Sequence, residues 1–212
     1  MTFSSLNKEN RWFFIGFFLF VLASFFVLVY YSKPNGFYVL NPYHSPVTDT
    51  FFIYFTYAGD GFFCVAIALL LFLFRKRFLA LMVFSSYAIS GIVAQVLKSF
   101  IVEARPAVFL KDSAYQYFIE HVTLHNFHAF PSGHTASAFA LAGVLSFAVK
   151  DKNYSMLFLA GAILVGYSRI YLAQHFIDDV LAGAIIGLLS AVFCRLFLGK
   201  LFGRLAGTGR TG

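Results

Sequence analysis

Residues Phe130 to Gly143 read FPSGHTASAFALAG: a proline, a serine, a glycine and a histidine, followed at once by a run apolar enough to sit in hydrocarbon. For a solitary histidine in such a place, a hydrogen bond to a backbone carbonyl is explanation enough. The reading of His134 turns on its company, and so on how many such runs the chain has and which way they point.

The chain has 212 residues, 60% hydrophobic and only 12% charged, far from the balance of soluble globular domains. A helix needs about 20 apolar residues to cross a bilayer, because only a backbone whose polar groups are bonded internally survives there. Six segments qualify: Trp12 to Tyr31, Phe51 to Phe74, Phe78 to Phe100, Ser132 to Val149, Tyr154 to Tyr171 and Asp179 to Leu198. The expectation is an all-α integral membrane bundle of six transmembrane helices, one domain over residues 1–212 with 1–11 and 203–212 as short tails. The first run exceeds the apolar region of a signal peptide, and YYSKPNG after it offers no small-residue cleavage site, so it reads as a retained helix. In the second, Gly59, Asp60 and Gly61 interrupt the pattern, which leaves Phe51 to Tyr57 free to lie at the membrane interface.

Six crossings place the N-terminus, the loops near residues 76 and 151 and the C-terminus on one side. That side carries 11 of the 16 lysines and arginines, and the other has only Lys33, Lys98, Arg105, Lys111 and Arg169. Basic residues favour the cytoplasmic side, so both termini read as cytoplasmic. The net charge of +7 is then a topology signal. No basic stripe or module points to nucleic acid, and nothing calls for an obligate protein partner. Cys64 and Cys194 fall inside apolar runs and read as packing residues rather than a disulfide.

The same topology gathers scattered residues at the outer side. Lys98 and Arg105 close the third run, Pro131 to His134 open the fourth, Arg169 to His175 close the fifth and Asp179 opens the sixth. Ionisable groups at that depth are kept for function or pairing. Lys98 and Arg105 are seven apart, two helical turns, and share a face if the helix continues between them; snorkelling to the interface is the bland alternative. Ser132 and Gly133 begin a helix, where a hydroxyl caps and free N–H groups cradle an anion. Arg169 adds a planar fork suited to phosphate oxygens. Three cations around a helix N-terminus describe a phosphate site.

His175 and Asp179 are four apart, so on a helix the carboxylate holds one ring nitrogen and leaves the other as a nucleophile, with Asp178 as the competing orienter. His134, approaching from another helix, is suited to protonating a leaving oxygen. A protein that only bound or transported an anion would use the same cations but has no need of the His175 and Asp179 pair.

Lys98, six residues, Arg105-Pro106; then Pro131-Ser132-Gly133-His134; then Ser168-Arg169, five residues, His175, three residues, Asp179: in order and spacing this resembles the three-part signature of the type-2 phosphatidic acid phosphatase superfamily. That superfamily includes membrane lipid phosphate phosphatases, bacterial undecaprenyl-diphosphate, phosphatidylglycerophosphate and lipid A phosphatases, and soluble vanadium haloperoxidases. The resemblance implies that His175 attacks phosphorus with Asp179 orienting it, and that His134 protonates the leaving group and then activates water. It implies that Lys98, Arg105, Ser132, Gly133 and Arg169 hold the phosphoryl oxygens, with no cofactor and no metal. The implied protein is a lipid phosphate or diphosphate phosphatase of a bacterial inner membrane, its site facing the periplasm; a lipid phosphotransferase using the same phosphohistidine is the alternative. The resemblance does not choose among undecaprenyl diphosphate, phosphatidylglycerophosphate, phosphatidate and lipid A.

The stretch from Ala107 to Phe130 stands outside the signature. If helical, it would set His121, His125 and His128 on one face, as a zinc site wants. The family needs no metal, and the preferred reading is a cap over the pocket in which Tyr115, Tyr117, Phe118, Phe127 and Phe130 contact the lipid.

Overall fold

Ser45, Asp60 and Ser132 each start a helix by accepting a backbone N–H with a side-chain oxygen, from Thr48, Phe62 and Thr135 respectively. The structure, a computed structural model, describes residues 2–111, 113, 115, 117–120 and 122–208, of which 202–208 by backbone alone. Its helices are α1 (Phe3–Glu9), α2 (Arg11–Leu40), α3 (Pro46–Phe55), α4 (Gly61–Leu73), α5 (Arg77–Phe100), α6 (Pro106–Phe109), α7 (Gly133–Ala148), α8 (Asn153–Tyr171) and α9 (Ile177–Thr208). A 3-10 turn at Thr56–Gly59 joins α3 to α4. Among the described residues there is no strand.

α7 is the axis. Its sequence GHTASAFALAGVLSFA is mostly alanine, glycine and serine, and nearly every side chain from Thr135 to Phe147 is buried. A helix that is apolar all round belongs inside a bundle. α5, α8 and α9 pack on it, α2 lies against α8 and α9, α4 packs chiefly on α5, and the 3-10 turn rests on α7 and α8. The tightest seam is between α7 and α9. A Cβ on Gly187 would stand 2.3 Å from the Ala136 carbonyl oxygen, and one on Gly183 2.5 Å from that of Ser132. Gly183, Gly187 and Ala191, spaced by four, let the two backbones meet. In a bilayer, where lipid is as apolar as leucine, such close packing is what holds helices together.

Four described helices are long and apolar enough to cross a membrane: Arg11–Leu40, Arg77–Phe100, Asn153–Tyr171 and Ile177–Leu201. A fifth candidate is the pair Pro46–Gly59 and Gly61–Leu73, bent by 57° at the Gly59-Asp60-Gly61 break that the sequence marks. The remaining expected span, α7, has only 16 residues, about 24 Å at 1.5 Å per residue. Protein surrounds most of it, so it has little lipid to match. Phe18, Leu22, Phe25, Phe26 and Val29 of α2 are exposed, a surface suited to hydrocarbon.

Three boundaries differ from expectation. α2 resumes after a non-helical break at Ser32 (φ 63°) as a short helix from Lys33 to Leu40, where a polar connection was expected; Pro34 lies in its first turn, where a missing N–H is harmless. Within the expected tail of residues 1–11, Leu6 of α1 is buried, and buried Asn10 accepts from Lys152 Nζ at 2.8 Å. At the other end α9 continues to Thr208, so residues 203–208 are helical; 209–212 lie outside the described residues.

Gly187→Val drives a side chain into the α7 backbone. Overpacking of this kind costs about 1–3 kcal/mol, and the expected result is a thermal midpoint in detergent lower by roughly 2–12 °C. Ile185→Val, on the exposed side of α9, serves as the control and leaves the midpoint in place.

Candidate active site

α8 ends in a left-handed residue, Ala173 (φ 51°). Its N–H returns to the Ile170 carbonyl at 3.0 Å and the Gln174 N–H to that of Arg169 at 2.9 Å, the pairing that usually places glycine at this position. The His175 N–H also reaches the Arg169 carbonyl, at 3.1 Å. α9 then begins at Ile177, and its third residue, Asp179, turns back. Asp179 Oδ2 accepts the Phe176 N–H at 2.9 Å and lies 3.3 Å from His175 Nδ1. This is half of a capping box. His175 therefore precedes the helix, and the expected pairing of two residues on one helical face is replaced by a cap reaching back. Asp178, the competing orienter, bonds Lys33 Nζ at 2.7 Å instead, and Glu103 is the second partner of Lys33.

The cations arrive by different routes. Buried Arg169, in the last turn of α8, donates from Nη1 to Thr56 Oγ1 of the 3-10 turn at 2.8 Å, while its Nε has no partner among the described residues. α5 stops at Phe100, so the helical face expected to join Lys98 and Arg105 does not exist. Arg105 is held by the outer loop: its backbone N–H bonds the Asn126 carbonyl at 2.9 Å, Nε donates to the Phe127 carbonyl at 3.1 Å, and Nη1 meets the carbonyl and side-chain oxygens of Gln174, both at 3.3 Å. Lys98 Nζ donates to the His128 carbonyl at 2.7 Å, and His128 Nδ1 sits 2.9 Å from the Lys98 carbonyl.

These bonds revise the reading of the outer loop. It is not helical at its described residues from Val122 to Phe130, His128 is engaged with Lys98, His125 is exposed and His121 lies outside the described residues. Tyr115 is buried in a cluster with Phe37, Ile170 and Phe176, and Tyr117 stacks on His44 at 5.0 Å. Among its described residues, the loop gives Arg105 and Lys98 the backbone carbonyls of Phe127 and His128.

At the mouth of α7, Ser132 is occupied in fixing the helix. Its N–H donates to the Asp179 carbonyl at 2.9 Å, and its hydroxyl accepts from Thr135 Oγ1 at 2.9 Å and from the Thr135 N–H at 3.4 Å. Gly133 has open space where a Cβ would stand, and its N–H and that of His134 are helix-terminal donors with no carbonyl a turn earlier to bond. His134 Nε2 lies 3.9 Å from Asp60 Oδ2, an ion-pair distance. Gly59 makes that approach possible, since a Cβ there would come within 2.7 Å of the His134 carbonyl oxygen. The other Asp60 oxygen caps α4 through the Phe62 N–H at 2.9 Å. Asp60, Thr56 and Gln174 were missed as site residues; the one sequence signal was polar residues beside glycine inside an apolar run.

Burial first, then the charges of Arg169, Arg105 and Lys98, hold the His175 pKa well below the ordinary histidine value. In the tautomer that donates its Nδ1 hydrogen to Asp179, the lone pair of a neutral ring lies on Nε2. Among the described residues, one trio of potential metal ligands, Glu103, Asp178 and Asp179, has ligand atoms within 4.8 Å of one another, and Lys33 bonds the first two.

A buried histidine beside a helix-capping carboxylate, with three cations nearby at the ends of long apolar helices, is the arrangement of a helical membrane protein. The chain belongs to the PAP2 superfamily, whose family model matches residues 79–202. The lipid A 4'-phosphatase of Porphyromonas gingivalis is 32% identical over 166 residues, 75% of this chain and 70% of that one. Phosphatidylglycerophosphatase B of Bacillus subtilis is 33% identical over 130 residues, 56% of this chain and 58% of the relative. Among solved structures, LpxE of Aquifex aeolicus superposes with a TM-score of 0.60 at 31% identity, over 76% of this chain and 93% of that one. The Bacillus subtilis PAP2-type phosphatidylglycerolphosphate phosphatase superposes with a TM-score of 0.65 at 24% identity, over 91% and 96%, and supports the fold. Thr56, Asp60 and Lys33 lie outside the segment that the family model matches.

Asp60→Asn keeps an oxygen to cap α4 and removes the charge beside His134. The expected outcome is a folded protein whose kcat for phosphate release falls about 10- to 100-fold with little change in KM; an unchanged kcat would exclude Asp60 from supporting the histidine.

Proposed function

We propose that the chain is a lipid phosphate or diphosphate phosphatase that works through a phosphohistidine on His175, without a metal ion, at the outer face of the membrane. The observation that carries this reading is the His175 to Asp179 contact beneath Arg105, Arg169 and Lys98. An anion carrier has no use for a neutral imidazole whose second nitrogen is held by a buried carboxylate. The Nε lone pair of His175 attacks phosphorus, the bond from phosphorus to the leaving oxygen breaks, and that oxygen takes a proton from His134. Water then attacks phosphorus, losing a proton to His134, the bond from phosphorus to His175 Nε2 breaks, and inorganic phosphate leaves. The unpartnered Arg169 Nε–H and the N–H groups of Gly133 and His134 are donors suited to the equatorial oxygens, where charge spreads in the transition state. Lys98 and Arg105 add charge there. Ser132 acts by fixing the helix mouth.

The names of the relatives, lipid A phosphatase, phosphatidylglycerophosphatase and undecaprenyl-diphosphatase, support a membrane lipid as substrate. The proposed setting is a single domain of six crossings in a bacterial inner membrane, α7 being the short crossing and both termini cytoplasmic. Transfer of the phosphoryl group to a second lipid in place of water is the alternative outcome for the same intermediate.

Purified protein should release phosphate from at least one of phosphatidate, phosphatidylglycerophosphate, lipid A and undecaprenyl diphosphate. Activity should survive EDTA and be inhibited by vanadate, which adopts five-coordinate geometry on a histidine nitrogen. His175→Ala should abolish both turnover and vanadate binding, while His134→Ala should slow turnover and leave vanadate bound. Loss of activity on chelation, restored by zinc or magnesium, would overturn the mechanism.

Orientation is tested separately. A cysteine at exposed Lys111 should react with a membrane-impermeant thiol reagent in intact cells and one at Lys76 should not, against a background kept low because Cys64 and Cys194 are buried. The reverse pattern would place the site on the other face.

A further inference from the structure

α5 carries an amide with nothing to bond. Gln95 lies in a helix long and apolar enough to cross the membrane, is exposed, and has no side-chain hydrogen-bond partner among the described residues. A polar side chain left without a partner in such a span is costly, because lipid offers it no hydrogen bond. It does not stand alone, for Tyr87, Ala88, Gly91, Ile92, Gln95 and Val96 line a groove of about 410 Å³. A Cβ on Gly91 would meet nothing within 4 Å, so the groove is open at its middle. Its far wall touches the start of α4, because the Tyr87 hydroxyl lies where a Cβ on Gly61 would be, 2.2 Å away. Gly61 follows Asp60, the partner of His134.

Tyr87, Gly91, Gln95 and Lys98 recur at spacings of four, four and three, and so form one stripe of α5. Lys98 is its upper end. The rise per residue sets the Gln95 amide about 4.5 Å deeper than Lys98, the depth at which a lipid changes from phosphate to the linkage carrying its chains. A second crevice of about 230 Å³, among α4, α7, α8 and the 3-10 turn, also runs below the site. It is a poorer path, because the turn at Gly59 packs on His134 and Val165 and closes its top, and no polar side chain lines it.

We propose that this face of α5 holds the leaving half of the substrate: Gln95 hydrogen-bonds the oxygen-bearing linkage one turn below the phosphate, and the hydrocarbon chain lies over Gly91 against Tyr87. The inference rests on the phosphatase reading and narrows it. An amide both donates and accepts, so it favours lipids with ester, amide or sugar oxygens at that depth over polyprenyl phosphates, whose chain begins directly at the phosphate oxygen.

The test uses full-length His175→Ala protein, to prevent turnover, in micelles with one of two photoactivatable probes. One is phosphatidate with a diazirine near its ester carbonyl, and the other a polyprenyl phosphate with a diazirine at the equivalent depth. Peptide mapping should place crosslinks of both on residues 87–96. Gly91→Leu should lower both yields about tenfold. Gln95→Leu, which fits lipid better than glutamine and so should not unfold the helix, should lower the phosphatidate yield several-fold relative to the polyprenyl yield. Crosslinks on α8, scattered over α2 or absent would overturn the groove, and an unchanged ratio in Gln95→Leu would overturn the role of the amide. Absence of phosphate release by the wild-type protein from any of the four lipids would instead sink the phosphatase reading.

Discussion

The hydrogen bond from the Ser132 N–H to the Asp179 carbonyl ties the mouth of α7 to that of α9, and the geometry of the site follows from it. It forms because Gly183 brings the α9 backbone against Ser132, one turn above the Gly187 contact with Ala136. Two helix N-termini then open side by side at the same level. Their unpaired N–H groups carry the positive ends of both helix dipoles, and α8 delivers Arg169 beside them as it ends. Packing between small residues has thus become an electrostatic arrangement. A larger residue in the seam would strain the bundle and also separate the donors that an anion needs to meet together.

The cations are held without being neutralised. Thr56, Phe127, Gln174 and His128 offer hydroxyl, amide and carbonyl oxygens to Arg169, Arg105 and Lys98, and none of these acceptors is charged. Of the nearby carboxylates, Asp179 Oδ2 meets the Phe176 N–H and His175, Lys33 bonds Asp178 and Glu103, and Asp60 caps α4, while one oxygen each of Asp178 and Asp179 has no partner among the described residues. Positive charge from Arg169, Arg105 and Lys98 collects beside His175. Burial strengthens that field, because water that would screen it is excluded. The positions of the three cations are fixed by uncharged protein oxygens.

Much of this was legible in the sequence because it lay in side-chain identity and spacing. The apolar runs marked the long helices, the Gly59-Asp60-Gly61 break marked the bend, and the three motifs marked where charge collects. Contacts made through backbone were not legible. The loop that holds Arg105 and Lys98 does so with the carbonyls of Phe127 and His128, which any residue at those positions would supply. The contest between Asp178 and Asp179 was open because spacing alone suits either one. The start of α9 separates the two in space: Asp179 falls at the third helical position, from which its carboxylate reaches back to Phe176 and His175, and Asp178 bonds Lys33. Lys33 itself was hidden by the break at Ser32, which turns an apparent polar connection into a helix aimed at α9.

Arg169 and His175 are joined by more than proximity, since the N–H groups of both Gln174 and His175 end on the Arg169 carbonyl. One short loop of main chain therefore carries a guanidinium and an imidazole as a unit, with their separation written in covalent geometry and two hydrogen bonds. His134 belongs to another helix, and its distance from that unit depends on how α7 settles against α8. The spacing between imidazole and guanidinium is thus set within one loop, while His134 is brought to the site by a separate helix.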